Sequence, residues 1–197
     1  MLSAIVLAAG SSSRMLGPNK LLLQYKNKPI IQFIVEQLSA AGMEEIVVVL
    51  GHEANKIKAI LQNNKVTFIE NDSYLKGMTS TIQMGVSIAN GAGYMICLSD
   101  MFLIEADEYA IMKEFFEKQI VVNSKTICLP VYNSKKGNPV IFSSFYKNAI
   151  LDHKNPEGCK EIVTENKENI SFIQMRSDHI LKDADTIEDY NKIIEGV

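Results

Sequence analysis

The segment Leu7-Ala8-Ala9-Gly10-Ser11-Ser12-Ser13-Arg14-Met15-Leu16-Gly17-Pro18-Asn19-Lys20 combines small residues, hydroxyls and two spaced cations. It follows directly on an apolar run, Ala4-Ile5-Val6-Leu7. Small residues let backbone N–H groups come close to a ligand, and a succession of such groups makes an anion-binding concavity. Arg14 adds a planar, forked cation and Lys20 a compact point charge. A triphosphate is the ligand this chemistry suits. The segment is not a Walker loop, because it has no Gly-Lys pair and Lys20 is followed by Leu21. It is not a dinucleotide fingerprint either, since Gly-x-Gly-x-x-Gly is absent.

Other residues invite separate readings. Asp100 ends the apolar run Tyr94-Met95-Ile96-Cys97-Leu98-Ser99. A carboxylate there suits a hard cation such as magnesium, and it also suits a turn cap. Asp183 and Asp185 precede a run with Glu188 and Asp189, a pattern that caps a helix and complements its dipole. In Gly77-Met78-Thr79-Ser80-Thr81, hydroxyls and free amides at a helix start suit a base edge or an anion as well as capping. His52 follows a strand near the same edge, whereas His153 and His179 have no metal or nucleophile partner in sequence. Cys97, Cys128 and Cys159 are odd in number and widely spaced. They form neither a zinc pattern nor a disulfide framework, which points to a reducing compartment.

These groups need elements to hold them. Strands are predicted at Ser3–Ala8, Glu45–Leu50, 66–70, 94–99, 126–131, 139–142 and 170–175. Helices are predicted at 29–41, 54–62, 79–90, 107–118, 143–151, 158–166 and 186–194, the last capped by Asp185 or Thr186. Pro29 fits a first helical turn and Gly42 a stop. This alternation predicts a three-layer α/β/α arrangement on a mainly parallel, Rossmann-like sheet. With 197 residues, 47% of them hydrophobic, the chain suits a single domain, residues 1–197, with its own core. Ligands of such sheets sit beyond the carboxyl ends of strands at a topological switch point. That rule brings together the segments 10–20, 71–81 and 100–101. The net charge of −3, with dispersed cations, argues against nucleic acid as a partner. No signal peptide and no membrane span are expected, so the expected location is the cytoplasm.

Leu-x-x-Gly-x-x-x-Arg-Met-x-x-x-x-Lys over Leu7–Lys20 resembles the signature of nucleotidyltransferases of the nucleotide-diphospho-sugar transferase fold. Among these MobA-like NTP transferases the chain most resembles the molybdenum cofactor cytidylyltransferases. Leu98-Ser99-Asp100-Met101 is similar to the family's Leu-x-Asp-Met-Pro, with Phe102 in place of proline, and Gly77-Met78-Thr79-Ser80-Thr81 to Gly-Met-Ser-Ser-Ser. Lys136-Gly137-Asn138-Pro139-Val140 is similar to Gly-His-Pro-Val, with Asn138 where histidine is common. Pro156-Glu157-Gly158-Cys159-Lys160 is a diverged Asp-x-Gly-Ala-Arg, and Lys182–Asp189 is similar to Asp-Ile-Asp-Thr-Pro-Glu-Asp.

The resemblance implies transfer of CMP from CTP to molybdopterin with release of pyrophosphate. It implies magnesium, or manganese in its place, held by Asp100 and Asp185, with Asp183 in reserve. Leu7, Ala8, Ala9, Gly10, Ser11, Ser12, Ser13, Arg14, Lys20, Gly77, Met78 and Ser80 would hold the nucleotide. Arg14, Lys20 and Asp100 would be catalytic, and Asn138 and Lys160 would meet the acceptor. A molybdoenzyme or its chaperone is a further partner on this reading. Two alternatives stand beside it: a cytidylyltransferase acting on a small phosphorylated alcohol, phosphonate or sugar phosphate, and a non-catalytic nucleotide or cofactor binder.

Overall fold

The computed structural model describes residues 1–11 and 19–196. Its centre is a sheet built from near-continuous apolar runs, the pattern of strands covered on both faces. In chain order the strands are β1 (Ser3–Ala8), β2 (Gln24–Tyr25), β3 (Lys28–Pro29), β4 (Glu45–Leu50), β5 (Thr67–Glu70), β6 (Gly93–Leu98), β7 (Ile127–Tyr132), β8 (Lys135–Lys136), β9 (Val140–Ser143) and β10 (Ile170–Gln174). The helices are α1 (Ile30–Ala40), α2 (Ala54–Ile60), α3 (Met78–Ile88), α4 (Ala106–Val122), α5 (Lys147–Leu151), α6 (Lys160–Glu165) and α7 (Ile187–Glu195).

The main sheet runs β10-β7-β9-β6-β1-β4-β5, with β8 hairpinned onto β7. Pairings β5–β4, β4–β1, β1–β6 and β7–β10 are parallel. Strand β9 runs against both its neighbours, so the sheet is mixed but mostly parallel. At its centre Val6 faces Val48 on one side and Cys97 on the other. The alternation of side chains along β1 divides the core into two. Ala4, Val6 and Ala8 pack with α1, α2 and α4, while Ile5 packs with α3, α5 and α6. Three layers follow, the arrangement of the nucleotide-diphospho-sugar transferase fold.

Local chemistry sets the ends. Helix α1 stops where Gly42 takes φ +75° and its N–H reaches Ser39 O. Pro29 lies in β3 and is the N-cap of α1, just ahead of the helical turn expected for it. Thr186, not Asp185, caps α7, in a reciprocal box with Asp189. Residues 21–28 show no strand or helix periodicity, yet part of them forms the β2–β3 hairpin. Its turn has positive φ at Lys26 and Asn27, without the Asn-Gly pair that usually announces such geometry. Tyr25 anchors the hairpin edge-on to Phe33 and Phe102, each 4.9 Å away between ring centres. Tyr190 Oη donates to Gln24 O at 2.7 Å. The aromatic ring of Phe102 therefore occupies the place where the resemblance expects proline. Among the described residues no helix is long and apolar enough to cross a membrane.

Candidate functional site

After β1 the chain passes to β4 and β5 on one side, then returns through α3 to β6 on the other. The ends of β1 and β6 thus flank a topological switch point, and a crevice opens there because their connections leave in opposite directions. A cleft of about 520 Å³ occupies it. It is lined by Leu7, Ala9, Gly10 and Ser11 at and after the end of β1, by Lys20, by Leu98, Ser99 and Asp100 at the end of β6, and by Tyr74, Leu75, Gly77 and Met78 ahead of and at the start of α3. Ser99 Oγ donates to Leu7 O at 2.7 Å, joining the two strands where they separate.

Two glycines permit close approach here. A Cβ on Gly51 would lie 2.6 Å from Ala9 O, so only glycine lets the segment after β4 lie against the start of the Gly10 loop. His52 N–H then donates to that same Ala9 carbonyl at 3.1 Å. Gly77 has φ +109°, and a Cβ on it would meet Pro156 O at 2.6 Å.

Lys20 is aimed by its own short turn. Asn19 Oδ1 accepts from Leu21 N–H at 3.1 Å and caps the 3₁₀ turn Lys20–Leu22, while Leu21 is buried. Lys20 Nζ then donates to Asp100 Oδ2 at 2.9 Å and stands 3.8 Å from Asp185 Oδ1. Ala184 N–H donates to Asp100 O at 3.1 Å, which ties the acidic segment to the end of β6. Asp100 Oδ1 is buried with no hydrogen-bond donor among the described residues. Burial, and then the charges of Asp100 and Asp185, push the Asp183 carboxyl above the ordinary range. Negative charge therefore gathers around one ammonium group. Among the described residues no group of three or more His, Cys, Asp or Glu is placed to hold a metal. Two carboxylates, one with an unsatisfied buried oxygen, still fit a hard cation that completes its shell with phosphate and water.

Residues 4–170 match the sequence profile of the MobA-like NTP transferase domain. The chain belongs to that family. The Bifunctional protein GlmU of Syntrophomonas wolfei is 30% identical over 120 residues, 60% of this chain and 27% of that protein. The chain thus spans about a quarter to a third of the length of the curated relatives it matches. In structure it is similar to a nucleotidyl transferase from Methanothermobacter thermautotroptrophicus, with TM-score 0.83 and 20% identity over 100% of this chain and 97% of that one. Rv0371c from Mycobacterium tuberculosis H37Rv, in complex with manganese, superposes with TM-score 0.77 and 20% identity over 100% of this chain and 99% of that one.

In this MobA-like NTP transferase domain, Leu7, Ala9, Gly10, Ser11, Lys20, Gly77, Met78 and Asp100 meet in one cleft. Asp185 adjoins it through Lys20. Ala8 is instead buried in the core. Ser80 turns its hydroxyl onto Gly77 O at 2.9 Å and Ser73 O at 3.2 Å, while Thr81 reaches the cleft. Asn138 donates its N–H to Ile180 O at 3.0 Å and precedes β9, outside the described lining. Lys160 is exposed on the first turn of α6. Ser12, Ser13 and Arg14 lie outside the described residues. The sequence reading missed Tyr74 and Leu75, an apolar rim with Leu75 82% exposed. Their position in the post-strand segment 71–81 was the available signal.

Proposed function

We propose that this MobA-like NTP transferase, acting as one domain over residues 1–197, transfers CMP from CTP to molybdopterin and releases pyrophosphate. The observation that carries the reading is the convergence of Lys20, Asp100 and Asp185 at the switch-point cleft. An oxygen of the acceptor phosphate attacks the α-phosphorus, and the bond from that phosphorus to the β-bridging oxygen breaks. An ionised phosphate oxygen needs no general base, so the work left to the protein is alignment and charge neutralisation. Backbone amides from Ala9 to Ser13 hold the triphosphate, and Arg14 offsets charge that builds on the departing pyrophosphate. Lys20 moves its ammonium from Asp100 to the α-phosphate or the acceptor phosphate. Asp100 and Asp185 would hold magnesium or manganese, which supplies Lewis-acid neutralisation of the phosphates when bound. Tyr74, Leu75 and Met78 shield one wall of the cleft from water, and Ala9, in place of a second glycine, favours the smaller pyrimidine base. Asn138 and Lys160 contact the acceptor, and a molybdoenzyme or its chaperone would receive the product.

One observation favours a second reading, CMP transfer to a small phosphorylated alcohol, phosphonate or sugar phosphate. Asn138 stands where the cofactor cytidylyltransferases commonly carry histidine, and an amide cannot become cationic. Pyrophosphate release distinguishes these readings. The protein is offered CTP, GTP, ATP or UTP with magnesium or manganese, and molybdopterin or a panel of small phosphates. Release with CTP and molybdopterin alone is the expected result. Release with CTP and a small phosphate selects the second reading, and release with GTP alone overturns the base assignment.

A further inference from the structure

Two side chains of α3, Thr79 and Gln83, tie the helix that carries Gly77 and Met78 of the cleft wall to the chain between Ile150 and Gly158. Thr79 is buried in the first turn of that helix, directly after Gly77 and Met78 of the cleft wall. Its hydroxyl donates to Asn155 O and accepts from Gly158 N–H at 2.9 Å, while its own N–H donates to Pro156 O at 3.3 Å. One turn later Gln83 Nε2 reaches the carbonyls of Ile150, Leu151 and His153 at 2.9–3.0 Å. Glycines at both contacts let the backbones meet. Gly77 lies against Pro156, and a Cβ on Gly158 would come within 3.1 Å of Met78 Sδ. The segment 155–160, which ends in Lys160, is therefore fastened to the helix whose N-terminus lines the cleft.

We propose that Thr79 is a positioning residue that locks the Asn155–Lys160 segment onto the nucleotide wall, so that seating a nucleotide against Gly77 and Met78 also fixes Lys160 for the acceptor. The inference rests on the nucleotidyl-transfer reading above. A hydroxyl is the group that does this, because it accepts from one strand of the loop and donates to the other with one atom. Valine has the same shape and would leave the buried Gly158 amide and the partly buried Asn155 carbonyl without this partner.

Cys159 reports on the lock. It belongs to the segment yet is only 8% exposed, and burial pushes its thiol up to about 12. It reacts only when the loop lifts, whereas Cys97 and Cys128 lie inside the sheet and monitor global unfolding. The test is iodoacetamide alkylation of each cysteine, read by peptide mass spectrometry with and without magnesium and whichever of CTP, GTP, ATP and UTP binds in equilibrium dialysis. Bound nucleotide should slow Cys159 alkylation several-fold in the wild type. In Thr79→Val, Cys159 should react about tenfold faster, as expected for losing a buried paired hydroxyl, and nucleotide should no longer protect it. Thr79→Ser should restore both behaviours. Nucleotide that binds without protecting Cys159, or that protects Thr79→Val as well as the wild type, overturns the inference and leaves the transferase reading standing. If no nucleotide binds the wild type, both fall. Should Thr79→Val expose Cys97 and Cys128 too, hydrogen exchange of the wild-type Gly158 amide decides. Slowing by nucleotide supports the lock, and unchanged exchange refutes it.

Discussion

Replacing Lys20 with Met separates two effects that the resting site superimposes. The ammonium stands 2.9 Å from Asp100 and 3.8 Å from Asp185, on side chains 18%, 22% and 41% exposed respectively. At an effective dielectric of about 20, charges at those distances attract by roughly 6 and 4 kcal/mol before desolvation is counted. Desolvation and solvent screening offset most of this, leaving about 1–3 kcal/mol net. A divalent cation arriving at the two carboxylates must displace that ammonium, so Lys20→Met should bind Mn²⁺ about tenfold to a hundredfold more tightly in the absence of nucleotide. On the proposed reading, the same variant also lacks the cation that would neutralise the reacting phosphates. Loss of one such group costs about 10²–10³ in kcat. Mn²⁺ titration by electron paramagnetic resonance and a coupled pyrophosphate assay measure the two effects on one preparation. The expected result is opposite signs: tighter metal, slower turnover. Weaker metal binding would refute competition for the carboxylates, and turnover within tenfold of wild type would remove Lys20 from the chemistry.

Three further perturbations test neighbouring parts of the argument. Asp185→Asn should weaken Mn²⁺ binding about tenfold and leave the melting temperature nearly unchanged, because Thr186 makes the cap of α7; a large drop in melting temperature would make Asp185 a structural residue. Gly51→Ala places a Cβ 2.6 Å from Ala9 O. Backbone cannot yield cheaply there, so thermal denaturation should show a loss of about 1–3 kcal/mol, and the KM for the nucleotide should rise as Ala9 and Gly10 shift. Glu45 lies at the far end of the sheet. Burial pushes its carboxyl up, but hydrogen bonds from the Ser3 hydroxyl and from Asn90 outweigh this and hold it below the ordinary range. A lowered carboxyl contributes stability above its unfolded value of about 4.3 and loses it as pH falls through the folded value. Glu45→Gln should therefore cost about 0.5–1 kcal/mol at pH 7, after screening, and nothing once the pH lies below the lowered folded value. An equal deficit at both pH values would assign the effect to packing instead.

The parallel half of the fold was legible because burial on both faces writes itself as uninterrupted apolar runs. Glu45–Leu50 and Ser3–Ala8 appear in the structure with the bounds read from sequence. Helix ends were legible where one residue decides them, as at Gly42. The β2–β3 hairpin was not legible, since two-residue strands carry no periodicity and a lysine at positive φ leaves no turn signature. Of the site, Lys20 and Asp100 were visible as charges ending apolar or small-residue runs. Their ion pair was not, because 80 residues of sequence separate them and only the sheet order brings them together. Thr79 read as a helix-capping hydroxyl, and nothing in its neighbours announced that it would hold a loop 76 residues away.

The acceptor side was harder to read for a reason of direction. In a parallel sheet the residues that reach the ligand follow the strands, and that rule finds Gly10, segment 71–81 and Asp100. Strand β9 runs against β6, with Val140 opposite Ile96, so it is the residues before β9 that arrive where β6 delivers Asp100. Gly137 and Asn138 are those residues. Gly137 N–H donates to Pro130 O, Asn138 N–H donates to Ile180 O, and the chain then leads from Ile180 to Asp183 and Asp185. The reversal was itself inferable. Only residues 133–139 separate β7 from β9, too few for the crossover of a dozen or more that a parallel return requires. A short β–β link within an otherwise parallel pattern marks a strand whose leading residues, rather than its trailing ones, face the ligand. On the proposed nucleotidyl-transfer reading, acceptor choice in this MobA-like NTP transferase would lie with Gly137–Asn138 and the Asn155–Lys160 segment, while the ends of the parallel strands would carry the nucleotide chemistry.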